Sequence, residues 1–376
     1  MQLPARLTGA TRSSVFARVA LLVYVLLITY ASWFPFSGWH ISGLPPWGFI
    51  TAPLPHYWTW FDFTTNVIAY VPIGILGVFA LYPILRNWAA MLVTLVGGVA
   101  VSATMEALQT YLPSRVSSNL DLLTNMIGVG IGALVAPAMT RFFLEDSRFL
   151  QLRKRWFTHE ASRGFLVLGL WPLAQIYPQA YLFGHGQLLP LISNWLGRAI
   201  SYPLDLGALL RGGSDLSAEQ YWLYEAIITA CALIGTLLTL SCVLRSHAPR
   251  AALLGMLLIA SLAVKSLVNA LLYGPDNAFT WLTPGAKGGL VLGLIMLTGL
   301  VSGPRVAQRR VAVLMLAICL LALNLAPANP YFVATIQSLT QGKFLNFNGA
   351  AQFLSLLWPY LALWFLLHGT HRKGPA

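Results

Sequence analysis

The sequence predicts an all-α, polytopic helical integral membrane protein, and three observations carry that prediction. Of the 376 residues, 57% are hydrophobic and only 9% are charged, whereas a soluble domain keeps roughly a quarter of its residues charged. Apolar segments long enough to cross about 30 Å of hydrocarbon recur from end to end. The Lys and Arg residues cluster between alternate segments, as the positive-inside rule requires of a multi-span chain.

The apolar pattern gives about ten transmembrane helices, near 16–34, 63–82, 88–108, 120–140, 163–182, 221–244, 251–272, 287–303, 308–326 and 350–368. The first follows Arg6, Arg12 and Arg18, flanks that resemble those of a signal peptide. No small-residue cleavage site comes after it, and it reads as a retained helix. The stretch 187–210 contains Arg198 and Asp205 and is broken by Pro190 and Pro203; it reads as interfacial helices or a partly inserted loop. With both termini cytoplasmic, 17 of the 23 Lys and Arg residues fall on the inner side. The net charge of +12 is then mainly topology, and nucleic acid is not an expected partner.

The basic run from Arg141 to Arg163 divides the chain into a membrane module at 1–150, a cytoplasmic linker at 151–162 and a second module at 163–376. That linker offers a surface to a cytoplasmic partner. Between the first two spans lies a long outer loop holding Trp39, Trp47, Trp58 and Trp60, an aromatic belt or a cap over a lateral groove. Two further outer loops, 273–289 and 329–349, mix polar and aromatic residues. Cys231, Cys242 and Cys319 read as small buried hydrophobes. No P-loop, dinucleotide fingerprint or zinc motif occurs, and neither metal nor cofactor is expected.

The first module carries a polar constellation at one depth. Asp62 and Asn66 open the second span, Glu106 and Gln109 end the third, Arg115 lies in the short turn that follows, and Asp121 and Asn125 open the fourth. Asp62 and Asp121 sit where exposed helix amides favour a carboxylate. One reading is architectural: two helix caps and an Arg115–Asp121 or Arg115–Glu106 bridge. The other is a binding site, because capping alone leaves Asn66, Glu106, Gln109 and Asn125 without a role. Gly128 and Gly132, with Gly74 after Pro72, supply small residues for close helix approach. Pro72 loosens the backbone of its span, and Tyr70 is placed to donate into the cluster.

Three blocks, Asp62–Asn66–Tyr70–Pro72–Gly74, Glu106–Gln109–Pro113–Arg115 and Asp121–Asn125–Gly128–Gly132, resemble the VanZ-like family over residues 20–140. That family often has Lys and His after the first aspartate, where this chain has Phe63, Thr64 and Thr65. The resemblance implies a cell-envelope membrane protein linked to teicoplanin-type glycopeptide resistance. It supplies no established reaction.

The expected function is recognition or handling of an amphiphilic, phosphate-containing outer-leaflet lipid or lipid-linked wall precursor. Asn66, Tyr70, Gln109, Arg115, Asn125 and Lys265 are its candidate ligand-binding residues, and Asp62, Pro72, Gly74, Pro113, Asp121, Gly128 and Gly132 its structural ones. Lys265 in the second module has three readings: snorkelling to the outer interface, pairing with Glu225, or holding an anion. The enzymatic alternative makes Glu106 and either Asp121 or Asp62 an acid/base pair on a lipid-linked substrate. A membrane scaffold is the remaining alternative. The location follows from the spans: a cell membrane, the inner one in a cell with two.

Overall fold

The computed structural model describes residues 6–34, 36–58, 60–143, 155–158, 161–212, 217–326 and 345–368. Most of the basic linker, the outer segment 329–344 and the terminal Arg372 and Lys373 lie outside the described residues. Among those described, six helices are long and apolar enough to cross a membrane and three shorter apolar ones accompany them. The protein is therefore an all-α polytopic membrane protein. It divides into two compact units, Met1–Lys154 and Arg155–Ala376.

The first unit contains α1 (Arg6–Trp33), α2 (Trp60–Leu81), α3 (Asn87–Gln109) and α4 (Asn119–Phe143). Its closest pair is α2 with α4, and the sequence explains why. A Cβ added to Gly74 would strike the Val129 carbonyl and the Gly132 Cα, and one added to Gly128 or Gly132 would strike the carbonyls of Val67 or Val71. Backbone therefore meets backbone, the arrangement small residues permit in a medium where burial of apolar groups gives no drive to associate. The helix α2 continues through Pro72 without interruption.

The second unit is built around α8 (Ala218–Val243). Ile228, Leu233, Ile234, Leu237 and Leu238 on it are buried, as expected of a helix apolar on every face. It packs against α5 (Ala161–Ala174), α9 (Arg250–Tyr273), α10 (Pro284–Leu300), α11 (Arg305–Leu325) and α12 (Leu345–Leu367). Gly285, Gly289 and Gly293 recur every fourth residue along α10 and lie against Glu225, Ala226, Thr229 and Ala230 of α8.

One expected span is corrected. An apolar run over 163–182 predicts a full crossing, but α5 ends at Ala174, and 14 residues rise only about 21 Å. Pro172 lies in its last turn. Beyond it the chain runs irregularly, with Tyr181, Leu182, Phe183 and His185 buried. Irregular backbone inside a membrane protein is tolerated where protein surrounds it. Here a network does so: Gln175 Nε2 donates to the Trp171 carbonyl at 3.2 Å and lies 2.6 Å from His185 Nε2, while Ser355 Oγ lies 3.1 Å from His185 Nδ1.

The 187–210 stretch forms α6 (Leu189–Ala199) and α7 (Leu206–Leu210). Asn324 Oδ1 accepts the amides of Leu188 and Leu189, both at 2.8 Å, and so satisfies the start of α6. Asp205 caps α7 through the Ala208 amide at 3.0 Å.

A common device closes six other helix ends. The last carbonyls of a helix lack internal partners, and hydrocarbon offers none. Arginines from elsewhere in the chain supply them: Arg18 to Ala80 (3.0 Å) at the end of α2, Arg115 to Ala31 and Phe34 (3.2 and 2.7 Å) at α1, and Arg305 to Leu244 (2.9 Å) at α8. Arg250 reaches Val301 (3.4 Å) at α10, Arg211 reaches Leu325 (2.8 Å) at α11, and Arg309 reaches Leu366 (2.5 Å) at α12.

Candidate functional site

The polar constellation of the first unit assembles where α2, α3 and α4 meet the turn 110–118. Asp62 falls in the first turn of α2 and Asp121 in the first turn of α4. Asn66, one turn into α2, donates through Nδ2 to Asp121 Oδ1 at 2.9 Å and ties the two helix starts together. Asn125, 4% exposed, donates to Ser102 Oγ at 2.9 Å. That bond ties α4 to α3. Tyr70, one turn further along α2 from Asn66, is buried as well.

Glu106 is 4% exposed, and its Oε2 accepts the Ser118 amide at 2.9 Å. Ser118 precedes α4, and its Oγ accepts the amides of Leu120 and Asp121 at 3.2 and 3.4 Å. This is the reciprocal logic of a capping box, with the glutamate supplied by a neighbouring helix. The Ser118–Asp121 spacing is itself a sequence signal for a helix start; Ser118 is absent from the expected residues because the aspartate three positions on carries the stronger signal. Ser102 is absent as well. Its position four residues before Glu106, on one helix face, is the available clue.

Two expectations for Arg115 are corrected here. It bridges neither Glu106 nor Asp121; its Nη2 bonds the Ala31 and Phe34 carbonyls instead. While Glu106 and Asp121 accept from the Ser118 amide and from Asn66, the guanidinium serves the Ala31 and Phe34 carbonyls at the end of α1, where a helix leaves carbonyls without internal partners. Burial draws its pKa below the ordinary value, though an arginine keeps its charge. Its Nε is buried without a partner among the described residues. Gln109 does similar work, donating through Nε2 to the Ser32 carbonyl at 3.2 Å.

The aromatic loop lies over this end. Asn119 Nδ2 donates to the Ala52 carbonyl at 2.6 Å, and the His40 amide donates to the Tyr111 carbonyl at 3.0 Å. Gly38, at φ +78°, turns the chain beside Pro113. Trp39, Trp47, Trp58 and Trp60 all remain exposed. The cluster thus combines carboxylates and amide oxygens under an apolar collar. Within it, Asn125 Oδ1 is a buried side-chain oxygen that receives no donor from the described residues.

Lys265 belongs to the second unit. It does not snorkel: it is 2% exposed. Nor does it pair with Glu225, whose carboxylate lies against Gly285 at the start of α10. Both residues line a cavity of about 580 Å³. Cys231 and Cys319 are buried and Cys242 is half-buried, all three unpaired. No group of three His, Cys, Asp or Glu residues suited to a metal occurs among the described residues.

No curated protein and no solved structure matches the chain. Residues 19–141, which hold α2, α3, α4 and the polar cluster between them, match the VanZ/LLP1 family.

Proposed function

We propose that the protein is a multi-pass envelope membrane protein that recognises an outer-leaflet amphiphile, a lipid or lipid-linked wall precursor with a phosphate-containing head, through the polar end of its VanZ/LLP1-family region. The observation that carries the reading is the convergence of Asp62, Asn66, Glu106, Asp121 and Asn125 beneath an exposed tryptophan-rich loop. The apolar collar suits the tail. The acceptor-rich cluster suits hydroxyl and amino groups of the head, with its phosphate turned toward Arg115. The charge distribution supports placing this end outside, with both termini inside and the protein in the inner membrane of a two-membrane cell. The link to teicoplanin-type resistance belongs to the same proposal.

A second reading has its own observation. Arg115 and Gln109 both bond the end of α1, which favours a scaffold that clasps four helices. Binding of an undecaprenyl-pyrophosphate disaccharide-pentapeptide to the full chain in nanodiscs, followed by native mass spectrometry, separates the two. Asn125→Ala is expected to weaken retention by about tenfold, the worth of one or two lost hydrogen bonds, at undiminished folded yield. Parallel loss of ligand and of folded protein in Asn125→Ala and Arg115→Gln would establish the scaffold instead. Turnover that vanishes in Glu106→Gln would move the assignment to an acid/base enzyme.

A further inference from the structure

The second unit holds a basic group that no described residue neutralises. Lys265 is 2% exposed on α9, and no described residue gives it a hydrogen bond or an ion pair. Burying an ammonium costs several kcal/mol unless an anion accompanies it. Its side chain lines the cavity of about 580 Å³ that lies between the end of α9, the turn before α10, the start of α8 and the irregular segment after α5.

The rest of the cavity wall is held in place before any ligand enters. Asn269, 5% exposed, donates through Nδ2 to Thr280 Oγ1 at 3.1 Å. Trp281 Nε1 donates to Ser266 Oγ at 3.0 Å. Gln179, on the facing wall, is fixed by Ser355 and His185. That network braces the wall: Gln175 Nε2 donates to the Trp171 carbonyl and lies 2.6 Å from His185 Nε2, while Gln179 Nε2 and Ser355 Oγ lie against His185 Nδ1.

Charge is divided across the cavity. Lys265 offers a donor and a positive charge; Glu225, whose carboxylate lies against Gly285 at the start of α10, offers an acceptor. A bare anion satisfies Lys265 alone and leaves most of the space empty, since cavities of roughly 300–1,000 Å³ take whole small molecules or head groups. We propose that this cavity binds a phosphate ester carrying a hydroxyl or amine, with the phosphate on Lys265 and Asn269 and the hydroxyl or amine donating to Glu225. The site is independent of the polar cluster in the first unit. A lipid head group and a soluble phosphate ester share this chemistry.

The test uses the full chain in phosphatidylcholine nanodiscs and three probes: phosphatidylglycerol in the bilayer, glycerol 3-phosphate in solution, and phosphatidic acid, which carries the phosphate without the hydroxyls. Reductive methylation of Lys265, read by mass spectrometry against the exposed Lys287, reports occupancy in the unsubstituted protein. Phosphatidylglycerol or glycerol 3-phosphate is expected to slow Lys265 modification about tenfold, the mark of about 90% occupancy. Protection by the first alone identifies a lipid ligand, and protection by the second identifies a soluble one. Lys265→Met is expected to weaken binding at least about tenfold, and Asn269→Leu less. Glu225→Gln is expected to erase the preference for phosphatidylglycerol over phosphatidic acid. Lys265 that reacts equally fast with every probe present, or undiminished binding in Lys265→Met, overturns the proposal. Because protection is read without substitution, a misfolded variant does not remove the test.

Discussion

At the scale of single residues, the polar groups of the first unit divide by what they touch. Ser118 is the joint at which α3 and α4 meet, since its amide serves Glu106 and its hydroxyl serves the start of α4. Ser118→Ala removes the hydroxyl and keeps the amide, so a loss of about 1 kcal/mol is expected from thermal unfolding in detergent, with Ser118→Thr close to unchanged. Equal stability of the alanine variant would mean that water caps the helix as well. Half of this arrangement is legible in the sequence. Asp62, Asn66, Asp121 and Asn125 stand out because polar residues at four-residue spacing in apolar helices share a face. Arg115 does not find its expected partners because charge complementarity points to the nearby carboxylates. The claim of the α1 carbonyls, more than 80 residues back, has no signature in sequence. Lys265 departs from expectation for a related reason. Side-chain length favours a reach to the interface, and only the packing of α8, α9 and α10 shows that the ammonium stays inside.

At the scale of helices, glycine spacing sets how near two axes come. Gly132 lies against the Val71 carbonyl, whereas an added Cβ at Gly130, two residues earlier, meets nothing within 4 Å. Gly132→Leu is therefore expected to push α4 off α2 and to abolish the monodisperse peak in size-exclusion chromatography. Gly130→Leu is expected to elute as the unsubstituted protein does. A normal profile for Gly132→Leu would show that the pair repacks, against the stiffness expected of a backbone contact. Helix existence is readable from apolar length, and the close pair α2–α4 from Gly74, Gly128 and Gly132. The early end of α5 is not readable, because hydropathy continues through Leu182 and proline within a membrane helix is no reliable stop. What decides there is tertiary: a buried amide and imidazole network that accepts the irregular chain.

At the scale of the whole chain, charge distribution sets the topology and helix capping gives several of the same arginines a second task. The proposed inner placement of Arg18, Arg250, Arg305 and Arg309 rests on the rule for cytoplasmic loops, and each also bonds a carbonyl near the end of another helix. Cysteine labelling checks the orientation. In a cysteine-free background, a membrane-impermeant maleimide is expected to modify Ser114→Cys in intact cells, and Ser302→Cys only after permeabilisation. The reverse pattern would invert the topology and place the polar cluster inside.

The Arg115 contact also bears on how the chain is made. The helix α1 leaves the ribosome and enters the bilayer with its last carbonyls bare, and the donor that completes it is translated 84 residues after Ala31. At synthesis rates of roughly 5–20 residues per second that interval lasts about 4–17 s. Through that time the Ala31 and Phe34 carbonyls of α1 lack the donor that they have in the folded protein. Arg115 therefore marks the point in synthesis at which the end of α1 can be completed, and the first unit closes only once α4, which follows it, has been made.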